Sequence, residues 1–193
     1  MKSFKQFLPF AIAAVLAACG DSTGPDKNPG NPGDNRSGSL RFSYAGGGAA
    51  AGTFQAEGAM PASGDLGTWA AAARFDDDDE SAIVLTGATR QGSKYHTIAI
   101  QLDGVTTGTY DFGAECEQNC AYSAIAFGLS SWTDTADRAC VIEEGQVKLT
   151  TVSATAAKGT FSGTGVCISG GMSIESFQVT GGTFDLPLAN LQG

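Results

Sequence analysis

From Ser39 onward, apolar and polar residues alternate with period two. Leu40, Phe42 and Tyr44 alternate with Ser39, Arg41 and Ser43, and Ile98, Ile100 and Leu102 with Thr97, Ala99 and Gln101. Val147 and Leu149 alternate with Lys148 and Thr150, and Phe184, Leu186 and Leu188 with Asp185 and Pro187. Successive side chains of a strand point to opposite faces, so each run reads as a half-buried β-strand. Less regular apolar runs over 82–85, 121–129 and 159–167 predict further strands. No window past residue 38 carries a sustained i, i+3, i+4, i+7 apolar stripe. The nearest helix candidate is 68–75, where four alanines raise helix propensity. Trp69, Ala71, Ala73 and Phe75 also fall on one face of a strand, and a strand is expected there.

Turn signals punctuate these runs at 61–64, 91–93, 103–104, 144–145, 170–171 and 181–182. Ten or so short strands separated by glycine turns predict an all-β fold, a single antiparallel β-sandwich or barrel-like domain over 39–193. Roughly 150 residues suffice for one hydrophobic core.

The chain ahead of Ser39 has a different composition. Lys2 and Lys5 precede a short apolar stretch, Phe7 to Val15, and Leu16-Ala17-Ala18-Cys19 follows. A positive n-region, an apolar h-region and small residues form the pattern of a secretory signal. The stretch is shorter than the ~20 apolar residues of a comfortable membrane span. Leu-Ala-Ala-Cys resembles the lipobox of bacterial lipoproteins. The resemblance implies removal of residues 1–18, a diacylglycerol on the Cys19 sulfur and acylation of the new amine. Two or more acyl chains hold a protein stably on a bilayer. The resemblance also implies the address. Asp directly after the lipid cysteine favours inner-membrane retention in enterobacteria, whereas here Gly20 follows. The outer membrane is therefore favoured where two membranes exist, with the domain facing the periplasm or the exterior.

Residues 19–38 are rich in Gly, Asn, Asp and Pro and hold no large apolar side chain past Cys19. Such a segment cannot offset its ordering entropy by burial and is expected to be a flexible tether. About 20 residues of this kind span roughly 25 Å on average.

The strand region carries a second resemblance. Gly145-Gln-Val147-Lys-Leu149, then Lys158-Gly-Thr-Phe161-Ser, then Gly181-Gly-Thr-Phe184-Asp-Leu-Pro187 follow in order. That order is similar to a family of bacterial β-sandwich lipoproteins of unknown function. Trp69, Ile98-Ala-Ile100 and Gly108-Thr-Tyr-Asp-Phe112 fall in compatible order. These are strand and turn residues, so the resemblance implies the fold and no chemistry.

Charge excludes some partners. The formal net charge is −9. Residues 1–18 hold two lysines and no acid, so their removal makes it −11. An acidic chain is a poor match for nucleic-acid phosphates or anionic headgroups. The cysteines agree with export. Beyond Cys19 stand Cys116, Cys120, Cys140 and Cys167, an even set that predicts two disulfides with three connectivities open. The pairing expected is Cys116–Cys120 within a loop and Cys140–Cys167 between strands. The competing reading, zinc on all four thiolates, lacks the usual paired C-x2-C spacing.

Four features could carry chemistry. The acidic run Asp76, Asp77, Asp78, Asp79 and Glu80 offers oxygens to a hard cation such as calcium. Counted from Asp76, an EF-hand would need Gly where Ser81 stands and Glu where Gly87 stands, so a solvated hairpin turn is preferred. No cofactor is expected, with calcium the alternative. His96, the one histidine, is expected on the face of Ile98 and Ile100, opposite Tyr95. No Gly-x-Ser-x-Gly elbow accompanies it, so a catalytic triad is not expected. Glu57, Asp103, Asp111, Glu115, Glu117, Glu143 and Glu144 could pair for glycoside hydrolysis, which depends on a carboxyl separation. Trp132, Tyr110 and Tyr122 are candidates for core packing or for recognition. If the domain has a ligand face, the loop 113–121 is the candidate, because a small disulfide would preorganise it. These features predict a lipid-anchored cell-envelope protein, a non-catalytic binding module for a protein or glycan. The alternatives are an accessory subunit of an envelope assembly and a carboxylate-dependent hydrolase.

Overall fold

The computed structural model describes residues 36–61, 67–76, 81–113, 115–131, 135–170 and 173–192. The expected signal segment, Cys19, most of the tether, Asp77, Asp78, Asp79, Glu80 and Trp132 lie outside them. The chain is all-β. Its strands are β1 (Gly38–Gly46), β2 (Ala49–Gly58), β3 (Trp69–Asp76), β4 (Ser81–Gln91) and β5 (Lys94–Leu102). They continue as β6 (Gly108–Phe112), β7 (Cys120–Leu129), β8 (Arg138–Val152), β9 (Ala156–Ser169) and β10 (Ile174–Gln192). The alanine-rich 68–75 segment is strand β3, antiparallel to β4 from Trp69–Ala88 to Asp76–Ser81.

The strands form one sheet in the order β2-β1-β10-β3-β4-β5-β7-β6-β8-β9, with further pairings β10–β9 and β7–β8. β10 explains how this sheet closes. Along Ile174–Pro187 it is antiparallel to β9, with β1 on its other flank. From Leu188 it leaves both and runs parallel to β3. The circuit β3-β4-β5-β7-β8-β9-β10 thereby returns to β3, which makes the fold barrel-like.

Long bent strands make this closure, where short ones were expected. β8, β9 and β10 are 15, 14 and 19 residues long. The expected turns at 144–145 and 181–182 are instead inside β8 and β10. Each accompanies a register shift, between Ile142 and Glu144 and between Val179 and Gly182. Gly145 and Gly181 have φ of 128° and 61°, backbone that a side chain would strain. A bulge adds a residue and bends the strand without ending its ladder, so a strand can pass from one wall of the barrel to the next.

The inward side chains form one core. Leu40, Phe42, Phe54, Leu85, Ile100 and Leu186 are fully buried within it. Burying a side chain of this size contributes about 1.5–3 kcal/mol. Phe42 stacks on Phe54 at 4.9 Å and meets the edge of Phe161 at 5.7 Å. Phe54 and Ala56 of β2 lie over Gly87 of β4, so the β1–β2 hairpin covers that side of the core. On the opposite face of β3, Trp69, Ala71 and Ala88 form a small second cluster with Met60.

Candidate functional site

A shallow groove of about 710 Å³ crosses the outer face of β1, β10, β9 and β8. Register explains its composition. Ala45 of β1 pairs with Gln178 of β10, Gln178 with Thr164 of β9, and Thr164 with Glu144 of β8. Outward positions of adjacent strands are thus aligned in one row, with Val166 and Glu143 beside it. A second hollow of about 420 Å³, reaching Ser43, Thr53 and Thr180, shares Ala45 and Gln178 with the first. Hydroxyls, one amide and small apolar side chains dominate this surface, with two carboxylates at one end. It can hydrogen-bond a neutral polar ligand such as a glycan or an extended peptide.

Beneath one end of the groove, Cys140 of β8 and Cys167 of β9 form a disulfide across the ladder. The turn after β1 rests on it: Gly47 leaves no room for a Cβ beside the Cys167 Sγ. Tyr44, Phe127 and Phe177 pack together at the same end, with Tyr44 and Phe127 centroids 4.9 Å apart. His96 joins them from β5. It shares the core face with Ile98 and Ile100, and its ring meets Phe127 edge-on at 5.3 Å. Its buried Nδ1 has no hydrogen-bond partner among the described residues. Desolvation holds the His96 pKa below its ordinary value, against a weaker opposing pull from Asp137. Asp137 is engaged by Lys94 at 3.1 Å. His96 is thus a ring packed against Phe127 whose partial burial disfavours its protonated form.

The other disulfide, Cys116–Cys120, closes the loop that precedes β7. Backbone bonds fasten this loop on two sides. The Asp103 N–H donates to the Cys120 carbonyl and the Asp111 N–H to the Asn119 carbonyl, both at 2.9 Å. Glu115 and Glu117 are exposed on it. Beside it Asp103 is half-buried, accepting hydrogen bonds from Gln101 Nε2 at 3.4 Å and from the Tyr122 hydroxyl. Desolvation raises the Asp103 pKa, although both hydrogen bonds oppose the shift. The Tyr122 hydroxyl is raised in turn by its own burial and by the adjacent carboxylate.

The structure separates the other candidates. Tyr110 is a core residue: it is buried, and its hydroxyl donates to the Thr106 carbonyl at 2.7 Å. Tyr122 takes an outward, partly buried position on β7, with its hydroxyl on Asp103. Asp76 is engaged by Arg74 Nε at 2.6 Å, and the hydrogen bonds from Arg74 and Ser81 lower its pKa. Glu57 lies at the end of β2, Asp111 on β6, and Glu143 and Glu144 on β8, all exposed. No group of three His, Cys, Asp or Glu converges among the described residues. The groove's Thr164 and Gln178 were not legible as site residues. Only cross-strand register brings them together.

Residues 56–185 match the model of a family described as a domain of unknown function, DUF6252. No curated protein and no solved structure matches the chain.

Proposed function

The chain belongs to the DUF6252 family, and from that premise we propose that it is a lipid-anchored cell-envelope protein whose β-domain is a non-catalytic binding module. The sequence Leu16-Ala17-Ala18-Cys19 behind a short apolar stretch carries this reading. Cys19 takes the lipid, residues 1–18 are removed, and the Gly/Pro/Asn segment holds the domain off the bilayer. Where two membranes exist, Gly20 directs the protein to the outer one. Two disulfides suit the oxidising compartment that export implies.

The groove across β1, β10, β9 and β8 is the binding surface, and its hydroxyls and amide suit a glycan or peptide. Binding rather than hydrolysis is supported by the placement of the carboxylates. Asp103 is engaged by Tyr122 and Gln101, while Glu143 and Glu144 are neighbours on one rim. A role as an accessory subunit of an envelope assembly is the second reading, favoured by the edge of β2, which pairs with β1 alone among the described residues.

Fatty-acid labelling tests the anchor. The wild-type chain is expected to incorporate labelled palmitate and to lose residues 1–18, and Cys19→Ala to incorporate no label. Equal labelling of the two, or none in the wild type, would overturn the reading.

A further inference from the structure

One stretch of the barrel's outer face carries small, mostly apolar side chains. Ala71 of β3, Thr86 of β4 and Ala99 of β5 are aligned in one row, and Ala189 of β10, Ala73 and Val84 in the next. They alternate with the core residues Ala70, Ala72 and Leu85, so they face outward, yet each is under a tenth exposed. No strand is stacked on them among the described residues: β3 and β4 meet their sheet neighbours and, through the core, the β1–β2 hairpin. Such a face needs an apolar cover.

Its chemistry restricts what the cover is. The one hydroxyl of these two rows, on Thr86, already donates to the Ala71 carbonyl at 3.2 Å. A glycan or a peptide would bring polar groups that the rows leave unsatisfied. A hydrocarbon chain brings none. At one end of the face stands a single donor: Trp69 is buried, and its Nε1 has no hydrogen-bond partner among the described residues. A buried donor left unpaired is costly. An acyl chain with a carbonyl at its head matches both features.

Resting on the anchor reading above, we propose that acyl chains on Cys19 fold back onto this face when the protein is away from a bilayer, with Trp69 Nε1 donating to a carbonyl of the lipid. The entry of the chain favours its own lipid as occupant. Gly38 lies so close to the Ala70 carbonyl and the Pro187 ring that a Cβ would not fit, so the chain enters β1 beside β3. A tether of about 20 residues spans roughly 25 Å on average and brings its lipid to the face at high effective concentration. Residues 20–37 hold no large apolar side chain, so the lipid is the apolar group that this segment delivers.

A photoreactive lipid tests this. Cells fed a palmitate analogue with a diazirine in its chain place the reactive group on Cys19. The acylated protein is then irradiated in detergent-free buffer, and cross-linked peptides are mapped by mass. Cross-links within one chain are expected over 69–75, 82–88 and 97–101, with a yield independent of protein concentration. Ala71→Lys with Ala73→Lys is expected to lower this yield about 10-fold. Trp69→Phe keeps the apolar bulk, removes the donor and is expected to lower it about 5-fold. Thr160→Lys with Ser162→Lys, on exposed positions of β9, is expected to leave it unchanged. A lipid on Cys19 that reacts elsewhere, or a yield that ignores both changes on β3, would overturn the proposal alone. So would equal labelling of this face in Cys19→Ala by the free analogue, which would mark a site for a separate lipid molecule. Protein that takes up no analogue would overturn the anchor reading, and this proposal with it.

Discussion

His96 shows how much one residue's setting changes its chemistry. The alternation Tyr95-His96-Thr97-Ile98 placed its ring on the core side, and the structure has it there against Phe127. Burial lowers its pKa from 6.5, so the folded state binds a proton less readily than the unfolded one. The resulting stability is fully present above about pH 6.5 and is lost as pH falls through the folded pKa. Thermal midpoints of the wild type are expected to fall between about pH 7.5 and 5.5 by more than those of His96→Phe. Equal falls would show that the ring does not titrate into folding. Asp103 and Tyr122 were less legible. Their contact depends on how β5 and β7 are aligned. Tyr110 and Tyr122, twelve residues apart, were indistinguishable as sequence, yet one is core and the other outward.

At the scale of elements, regular alternation was the readable signal, and glycine was misleading. Leu40–Tyr44 and Ile98–Leu102 are strands where alternation placed them. β2 escaped notice because Ala49-Ala-Ala-Gly offers no apolar contrast; Phe54 and Ala56 are its buried apolar side chains among those described. Gly145 and Gly181-Gly182 read as hairpin turns, since a turn and a bulge both call for positive φ. What distinguishes them is whether pairing resumes beyond, and this depends on neighbouring strands. The two disulfides differ in what they constrain. Cys140–Cys167 spans a sequence separation of 27 and Cys116–Cys120 one of 4. In the chain-entropy model, replacing the first pair by alanine costs about 3–4 kcal/mol and replacing the second about 2 kcal/mol. Denaturant titration of the two double variants checks the order. A larger loss from Cys116→Ala with Cys120→Ala would contradict it.

At the scale of the whole molecule, the described residues form a barrel-like domain, and Leu16-Ala17-Ala18-Cys19 stands well ahead of its first described strand. The class of fold was readable because alternation, turn spacing and the lack of a helical stripe agreed. The closure was not, since it depends on β10 leaving β1 and β9 for β3 at Leu188, and no local pattern announces that exchange. The groove shares this limit, being a product of register across four strands. The proposed N-terminal chemistry is argued the other way, from Cys19 and the residues just before it alone. The most direct test of the account is therefore the intact mass of the protein extracted from cell membranes. The account predicts a chain beginning at Cys19, heavier than its amino acids by a diacylglycerol and an amide-linked acyl group. A chain that begins at Met1, or one cut in this region that carries no lipid mass, would contradict it.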